Sequence, residues 1–218
     1  MNIYVITEGK VESIVYRRWI PLVNPVLTAV DHLTKVDSNK FYIVSAMGYP
    51  YYFNIIDNAI SDVNYDGKFD RLVISADSED MTRQEKYNEI KAFVSDKSCT
   101  TEIKIIVQHF CFETWALGNR RVIRPNPASN KLRQYKRLFD VRIHDPELLP
   151  PKLDEGLNRA QFAEKYLRLA LNDKFRNLTY TKSNPQAVTH DKYFAQVKSR
   201  LHDTGHIASF SDFLDAFV

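Results

Sequence analysis

The stretch Y-V-I-T-E-G-K-V-E-S, residues 4–13, decides the fold. Residues 2–6 (N-I-Y-V-I) are nearly all apolar and rich in β-formers, which predicts a strand buried on both faces. Glu8 and Gly9 follow almost at once, and there the period changes. Val11, Ile14, Val15, Trp19 and Leu22 share one face of a helix over 11–22, with Arg17 and Arg18 off that face. Pro21 and Pro25 are expected to end it. A buried strand that runs straight into a helix is the first half of a βα unit. A carboxylate at the junction, with Glu12 one helical turn on, asks for a chemical reason.

The same alternation continues outward. Residues 41–46 (F-Y-I-V-S-A) predict a second strand, and Gly48-Tyr49-Pro50 a turn. Tyr52, Ile55, Ile56, Ala59, Ile60 and Val63 stripe a helix, and Asp66-Gly67 turns the chain. A third strand is expected over 70–76, followed by D-S-E-D and a helix over 82–97. A fourth is expected over 102–110, then a short helix at F-E-T-W-A-L. Alternating strands and helices imply an α/β fold, a parallel sheet sandwiched by helices. Ligands of such sheets bind outside the carboxyl ends of the strands.

Past residue 118 the character changes. Residues 119–152 carry nine Lys and Arg against three Asp and Glu, punctuated by Pro125, Pro127, Pro150 and Pro151. The expected division is an α/β unit over 1–122 and a basic, mainly helical lobe over 123–218. Phe162, Tyr166, Leu167 and Ala170 mark one helix of the lobe, and Tyr193, Phe194, Val197 and Leu201 another. Ser209 or Ser211 is expected to cap a last one. The net charge of +3 is uneven: residues 1–118 sum to −4 and residues 119–218 to +7. An acidic half can hold a cation and a basic half a polyanion, although solvated helix faces would give the same count.

Two cysteines, Cys99 and Cys111, are too few for a disulfide framework, and Cys111 sits in an apolar run. No run is long and apolar enough for a membrane span and no leader precedes the first strand, so a cytoplasmic location without a membrane partner is expected.

Glu8 follows the first strand; Asp77, Glu79 and Asp80 follow the third. In a parallel sheet these ends face one edge. Like charges gathered there raise one another's pKa, so they either bind protons or hold a cation. Oxygen ligands near a substrate suit Mg²⁺ or Mn²⁺. The competing reading is that the acids complement helix N-termini, with Asp80 as a cap. Glu12 can likewise be solvated, and Glu113 can face solvent on its helix. His109, at the end of the fourth strand, lies near the same edge, and packing alone would explain it. His202 and His206 have no acidic companion and Gly205 between them, which argues against zinc.

Strand–Glu-Gly, then strand–Asp-x-acid, on a βα alternation resembles the Toprim fold of type IA topoisomerases, DnaG-type primases and the OLD-family and RloB-like nucleases. Glu8 and Gly9 match the first element and Asp77 the second. Glu79 stands where the family has an aspartate, which leaves open whether Glu79 or Asp80 completes the site. E-G-K-V-E (8–12) and F-E-T-W (112–115) are similar to RloB-like members, which implies a further site acid at Glu113. The resemblance covers about residues 1–118. It implies a Mg²⁺- or Mn²⁺-dependent nuclease, in which Glu8, Asp77 and Glu79 are catalytic and Glu8, Asp77, Glu79 and Asp80 hold metal, with Glu12 and Glu113 as additional candidates. It also implies a role in defence against phage or mobile elements.

The expected grip on DNA or RNA comes from Lys10, Arg120, Arg121, Arg124, Lys131, Arg133, Lys136 and Arg137, through phosphate contacts. Tyr135 and Phe139, interleaved with them, could stack bases. No G-x-x-x-x-G-K-[ST] occurs, so any ATPase would be a partner chain. Two alternatives stand beside the nuclease. One is a catalytically silent nucleic-acid-binding or effector subunit working with a partner ATPase; the other is a protein-binding adaptor. Association of like chains is left open.

Overall fold

The computed structural model describes all 218 residues except Met47, Tyr49, Pro50, Arg176 and Asn177. The turn expected at Gly48–Pro50 therefore lies largely outside the described residues. The strands are β1 (Ile3–Thr7), β2 (Thr28–Val30), β3 (Lys40–Ser45), β4 (Arg71–Asp77) and β5 (Glu102–Gln108). They form one sheet in the order β2-β3-β1-β4-β5, and every pairing is parallel. Eight α-helices are present among the described residues: α1 (Lys10–Val23), α2 (Tyr51–Asp66), α3 (Arg83–Ser95), α4 (Phe112–Ala116), α5 (Asn130–Leu138), α6 (Arg159–Lys174), α7 (Asp191–Thr204) and α8 (Phe210–Ala216). The architecture is the expected α/β one, with a Rossmann-like all-parallel sheet. None of the helices, among the described residues, is long and apolar enough to cross a membrane.

Strand periodicity explains the layering. Side chains two apart share a face. Ile3, Val5, Val73 and Ile106 face α1 and the C-terminal helices, packing with Trp19, Phe112, Trp115, Phe194, Phe210 and Phe213. Tyr4, Ile6, Leu72 and Ile74 face the other way, onto Ile56, Ala59, Ile60 and Val63 of α2 and Ile90 and Val94 of α3. Side chains from both sides of the boundary expected near 122 join the first of these clusters.

β1 is central. The chain builds β3 on one side of it, then crosses to build β4 on the other. Such a reversal opens a crevice at the carboxyl ends of the two strands.

Several local expectations need correction. Pro21 lies inside α1, which runs on to Val23; it stops at Asn24, where the following Pro25 disfavours helical geometry. The strand expected over 102–110 ends at Gln108. Beyond it the His109 N–H donates to Ser209 Oγ (3.2 Å) instead of a strand partner, and Phe110 turns into the core. β2 was not expected; with three residues and no interior-facing apolar pair it carries no pattern. Ser209 precedes α8 but does not cap it. Its hydroxyl is taken by Glu147 and by the Trp115 indole N–H (2.7 Å), which tie α8 to the body.

Candidate functional site

The crevice at the ends of β1 and β4 is a cleft of about 530 Å³ whose lining includes Glu8, Lys10, Glu12, Asp77, Glu79, Glu113 and Lys182. Its geometry begins with the two strand ends. The Glu8 carboxylate accepts the Asp77 backbone N–H at 3.0 Å, so the first acid is held by the backbone of the second. α1 then starts from Gly9, which is extended and gives no side-chain cap. Glu12, in the first turn, folds back over that glycine. A Cβ at residue 9 would stand 2.7 Å from Glu12 Oε2. Glycine is required here for close approach, since its φ of −121° is open to any residue.

Glu12 is 6 % exposed, yet among the described residues its Oε2 has no hydrogen-bond partner; Asp77 Oδ1 is buried and equally unpartnered. Glu113, from the first turn of α4, is 2 % exposed and accepts the Tyr180 hydroxyl at 2.8 Å. Beneath the cleft, the buried Tyr16 hydroxyl bonds Ser75 Oγ at 2.8 Å and receives Gln108 Nε2 at 3.1 Å. This polar floor fixes β4 and β5 under the acids.

Burial pushes the Glu12 carboxyl up to about 7, with Glu113 and Glu8 adding to it. Asp77 is pushed well above the usual carboxylate range by burial and then by Glu12, Glu8 and Glu113. Burial raises Glu8 too, against the lowering effect of the Asp77 N–H. Burial alone would lower the Lys182 ammonium, but Glu113 and Asp77 outweigh it and hold that amine above its ordinary value. The cleft thus gathers carboxyl groups whose ionised forms burial and mutual repulsion disfavour, with Lys182 and Lys10 as the cations of its lining.

The structure brings Glu8, Asp77 and Glu79 to one cleft with Lys10. It also draws in Glu12 and Glu113, which become its most buried acids. Asp80 is exposed and does not line the cleft, nor does it cap α3. Thr82 caps that helix in a reciprocal box with Glu85. Glu79 is at the exposed rim with φ at +49°, a left-handed conformation that costs a non-glycine residue about 1 kcal/mol or more. It is held there from both sides: its N–H donates to the Phe110 carbonyl (2.9 Å), and Arg159 donates to its carbonyl (3.3 Å). His109 bonds Ser78 Oγ at 2.7 Å through Nδ1 and does not line the cleft. Tyr180 and Lys182 had no signal in the sequence: they stand in an irregular segment far along the chain from every other site residue.

The basic stretch divides. Lys131 pairs with Glu155 at 2.7 Å, Lys136 with Asp140 at 3.4 Å and Arg124 with Asp173 at 3.7 Å. Arg133 donates to the Pro127 carbonyl at 2.7 Å. Among the described residues, Arg120, Arg121 and Arg137 have no such partner. Tyr135 is no stacking platform; it is fully buried and its hydroxyl donates to Glu155.

Among the described residues, no three His, Cys, Asp or Glu side chains stand so that together they could hold a metal ion. The donor set still fits Mg²⁺. That ion is commonly bound by one or two carboxylates, with waters and substrate phosphate completing its shell. The two unpartnered buried oxygens, Glu12 Oε2 and Asp77 Oδ1, are acceptors of that kind. Compared with protein-family models, with curated proteins and with solved structures, the chain matches none.

Proposed function

We propose that this chain is a Mg²⁺- or Mn²⁺-dependent nuclease of Toprim type, acting on DNA or RNA at the acidic cleft. The observation that carries the reading is the pair of buried carboxylate oxygens, on Glu12 and Asp77, left without partners at the sheet's switch point. Those two side chains would hold the ion. When bound, it would activate water and offset charge on the phosphoryl group. Glu8, oriented by the Asp77 N–H, is the group to carry a proton at the reacting oxygens. Tyr180 donates to Glu113 and orients it in the wall of the cleft. Lys182 and Lys10 offer cations to a substrate phosphate at its edge. A cytoplasmic location and a role in defence against phage or mobile elements belong to the same proposal and rest on the resemblance.

The test incubates supercoiled DNA, single-stranded DNA and total tRNA with the protein and Mg²⁺ or Mn²⁺, with EDTA, Glu8→Ala and Asp77→Asn as controls. Cleavage that all three controls abolish supports the reading and names the substrate. One observation favours a second reading: among the described residues no three acids are gathered as a metal cage, and Glu79 is at the rim rather than inside. A silent nucleic-acid-binding subunit of a partner ATPase would show salt-sensitive binding without cleavage. Neither binding nor cleavage would leave the adaptor.

A further inference from the structure

A second and larger cleft, about 870 Å³, lies among the helices. Its floor is apolar, with Val122, Ile123, Leu171 and Tyr193. Its walls carry Arg120, Arg121, Arg142, Lys174 and Lys192, and no Asp or Glu lines it among the described residues. None of these five cations is in an ion pair among the described residues. This sets them apart from the self-paired Lys131 and Lys136 nearby. Arg142 adds an independent sign: its Nε is buried and has no hydrogen-bond partner. Phe175, an aromatic 42 % exposed, stands at the cleft. The volume falls in the range of about 300–1,000 Å³ usual for small-ligand sites.

We propose that this cleft binds a free nucleoside polyphosphate. Five convergent, unpaired cations exceed what a single carboxylate needs and match adjacent phosphates, which arginine forks chelate well. The apolar floor and the exposed Phe175 suit a nucleobase face, because every base presents a π-surface to stack. The side chains do the work of the absent Gly-rich phosphate loop. With no carboxylate present to hold Mg²⁺ against the phosphates, the cleft binds the nucleotide and does not turn it over. Its position suggests an effector site: Leu178 lines it, and Tyr180, two residues on, orients Glu113 in the acidic cleft.

The proposal does not depend on the nuclease reading. Its test reads binding alone, on the intact chain, in EDTA. ATP, GTP, inorganic triphosphate and a single-stranded oligonucleotide are titrated by calorimetry. Expected are ATP or GTP binding at least tenfold tighter than triphosphate, and a tenfold or greater loss in Arg121→Ala and in Ala195→Trp. Ala195 is an exposed α7 residue lining the cleft, so an indole there takes up cleft space while all five cations stay in the sequence. Melting temperature monitors folding in both variants, and Asp77→Asn should bind ATP as the parent does. Equal affinity for triphosphate and ATP would reduce the cleft to a bare anion site and overturn the proposal. So would undiminished binding in Ala195→Trp, or no binding at millimolar nucleotide. Oligonucleotide binding that Ala195→Trp abolishes, without any ATP binding, would assign the cleft to the nucleic-acid strand instead.

Discussion

The acidic cleft is built on the sheet, and the basic cleft is built on helices. At the first, Glu8 and Asp77 stand at the ends of strands that pair residue by residue, and Glu12 Oε2 and Asp77 Oδ1 are buried without partners among the described residues. At the second, five cations stand over an apolar floor with no ion pair among the described residues. Between them α5 shows the ordinary fate of surface charge: Lys131 and Lys136 are neutralised by Glu155 and Asp140. What distinguishes the two clefts is therefore the absence of partners rather than the number of charges. Surface pairs are worth little, about 0–1 kcal/mol. Leaving the two buried carboxylate oxygens, Glu12 Oε2 and Asp77 Oδ1, unsatisfied costs more.

The largest effect should come from removing the acid whose oxygen is orphaned. Asp77→Asn and Glu12→Gln should each lower cleavage by about 10²–10³-fold, the scale on which one preorganised electrostatic group acts. Without metal, the same variants should melt higher than the parent above pH 7, because each replaces an acid whose ionised form burial and the neighbouring acids disfavour. With saturating Mg²⁺ that order should reverse, as binding to the native state stabilises the parent alone. A parent whose melting temperature ignores Mg²⁺ and Mn²⁺ would break the contrast between the clefts.

Glu147 offers a half-buried carboxylate that is satisfied, since the Ser209 N–H donates to it at 3.0 Å and the Ser209 hydroxyl donates to it as well. Burial nevertheless pushes it up to about 7. In the window between its ordinary value of about 4.5 and 7, the folded state binds more protons than the unfolded. Stability should therefore fall as pH rises through that window, by up to roughly 3 kcal/mol from this group. Glu147→Gln should flatten the slope of melting temperature between pH 5 and 7; an unchanged slope would show that other groups carry it.

Gly9→Ala tests geometry with little change in chemistry. The added methyl meets only the far end of the Glu12 side chain, and the backbone conformation is open to alanine. The fold should hold within about 1 kcal/mol. The carboxylate must move, and cleavage should fall by about tenfold or more, as ångström displacements in a site do. A variant that melts normally and cuts normally would show that Glu12 need not sit where it does.

How far the sequence disclosed this molecule follows from what each signal measures. Ile3 to Ile6 and Leu72 to Ala76 are doubly buried strands, and uninterrupted apolar runs announce them. Glu8 and Asp77 were legible because the end of a parallel strand is a position with known chemistry. Glu12 and Glu113 were legible as candidates only. Nothing in a helical pattern distinguishes a glutamate that folds inward over a glycine from one in water. Lys182 and Tyr180 reach the cleft from an irregular segment, where no period exists to read. The basic stretch misled for a related reason. Composition counts Lys131, Lys136 and Arg124, but not the Glu155, Asp140 and Asp173 that neutralise them in space. Tyr135 was misplaced because an aromatic among lysines looks the same in sequence whether it stacks outward or closes a core.

The smallest expected effect separates paired from unpaired cations. A cation already held by an acid releases no counterion when nucleic acid binds, whereas a free one does. Arg137→Ala, on α5 outside the nucleotide cleft and unpaired among the described residues, should thus weaken nucleic-acid binding and reduce the slope of log affinity against log salt by about 1. Lys131→Ala should leave that slope nearly unchanged, because Glu155 already neutralises that ammonium and no available positive charge is removed. The comparison is made with one oligonucleotide across a salt series. Equal slopes for the two variants would mean that the ion pairs of α5 open on binding, and that charge count, not pairing, governs how this face meets a polyanion.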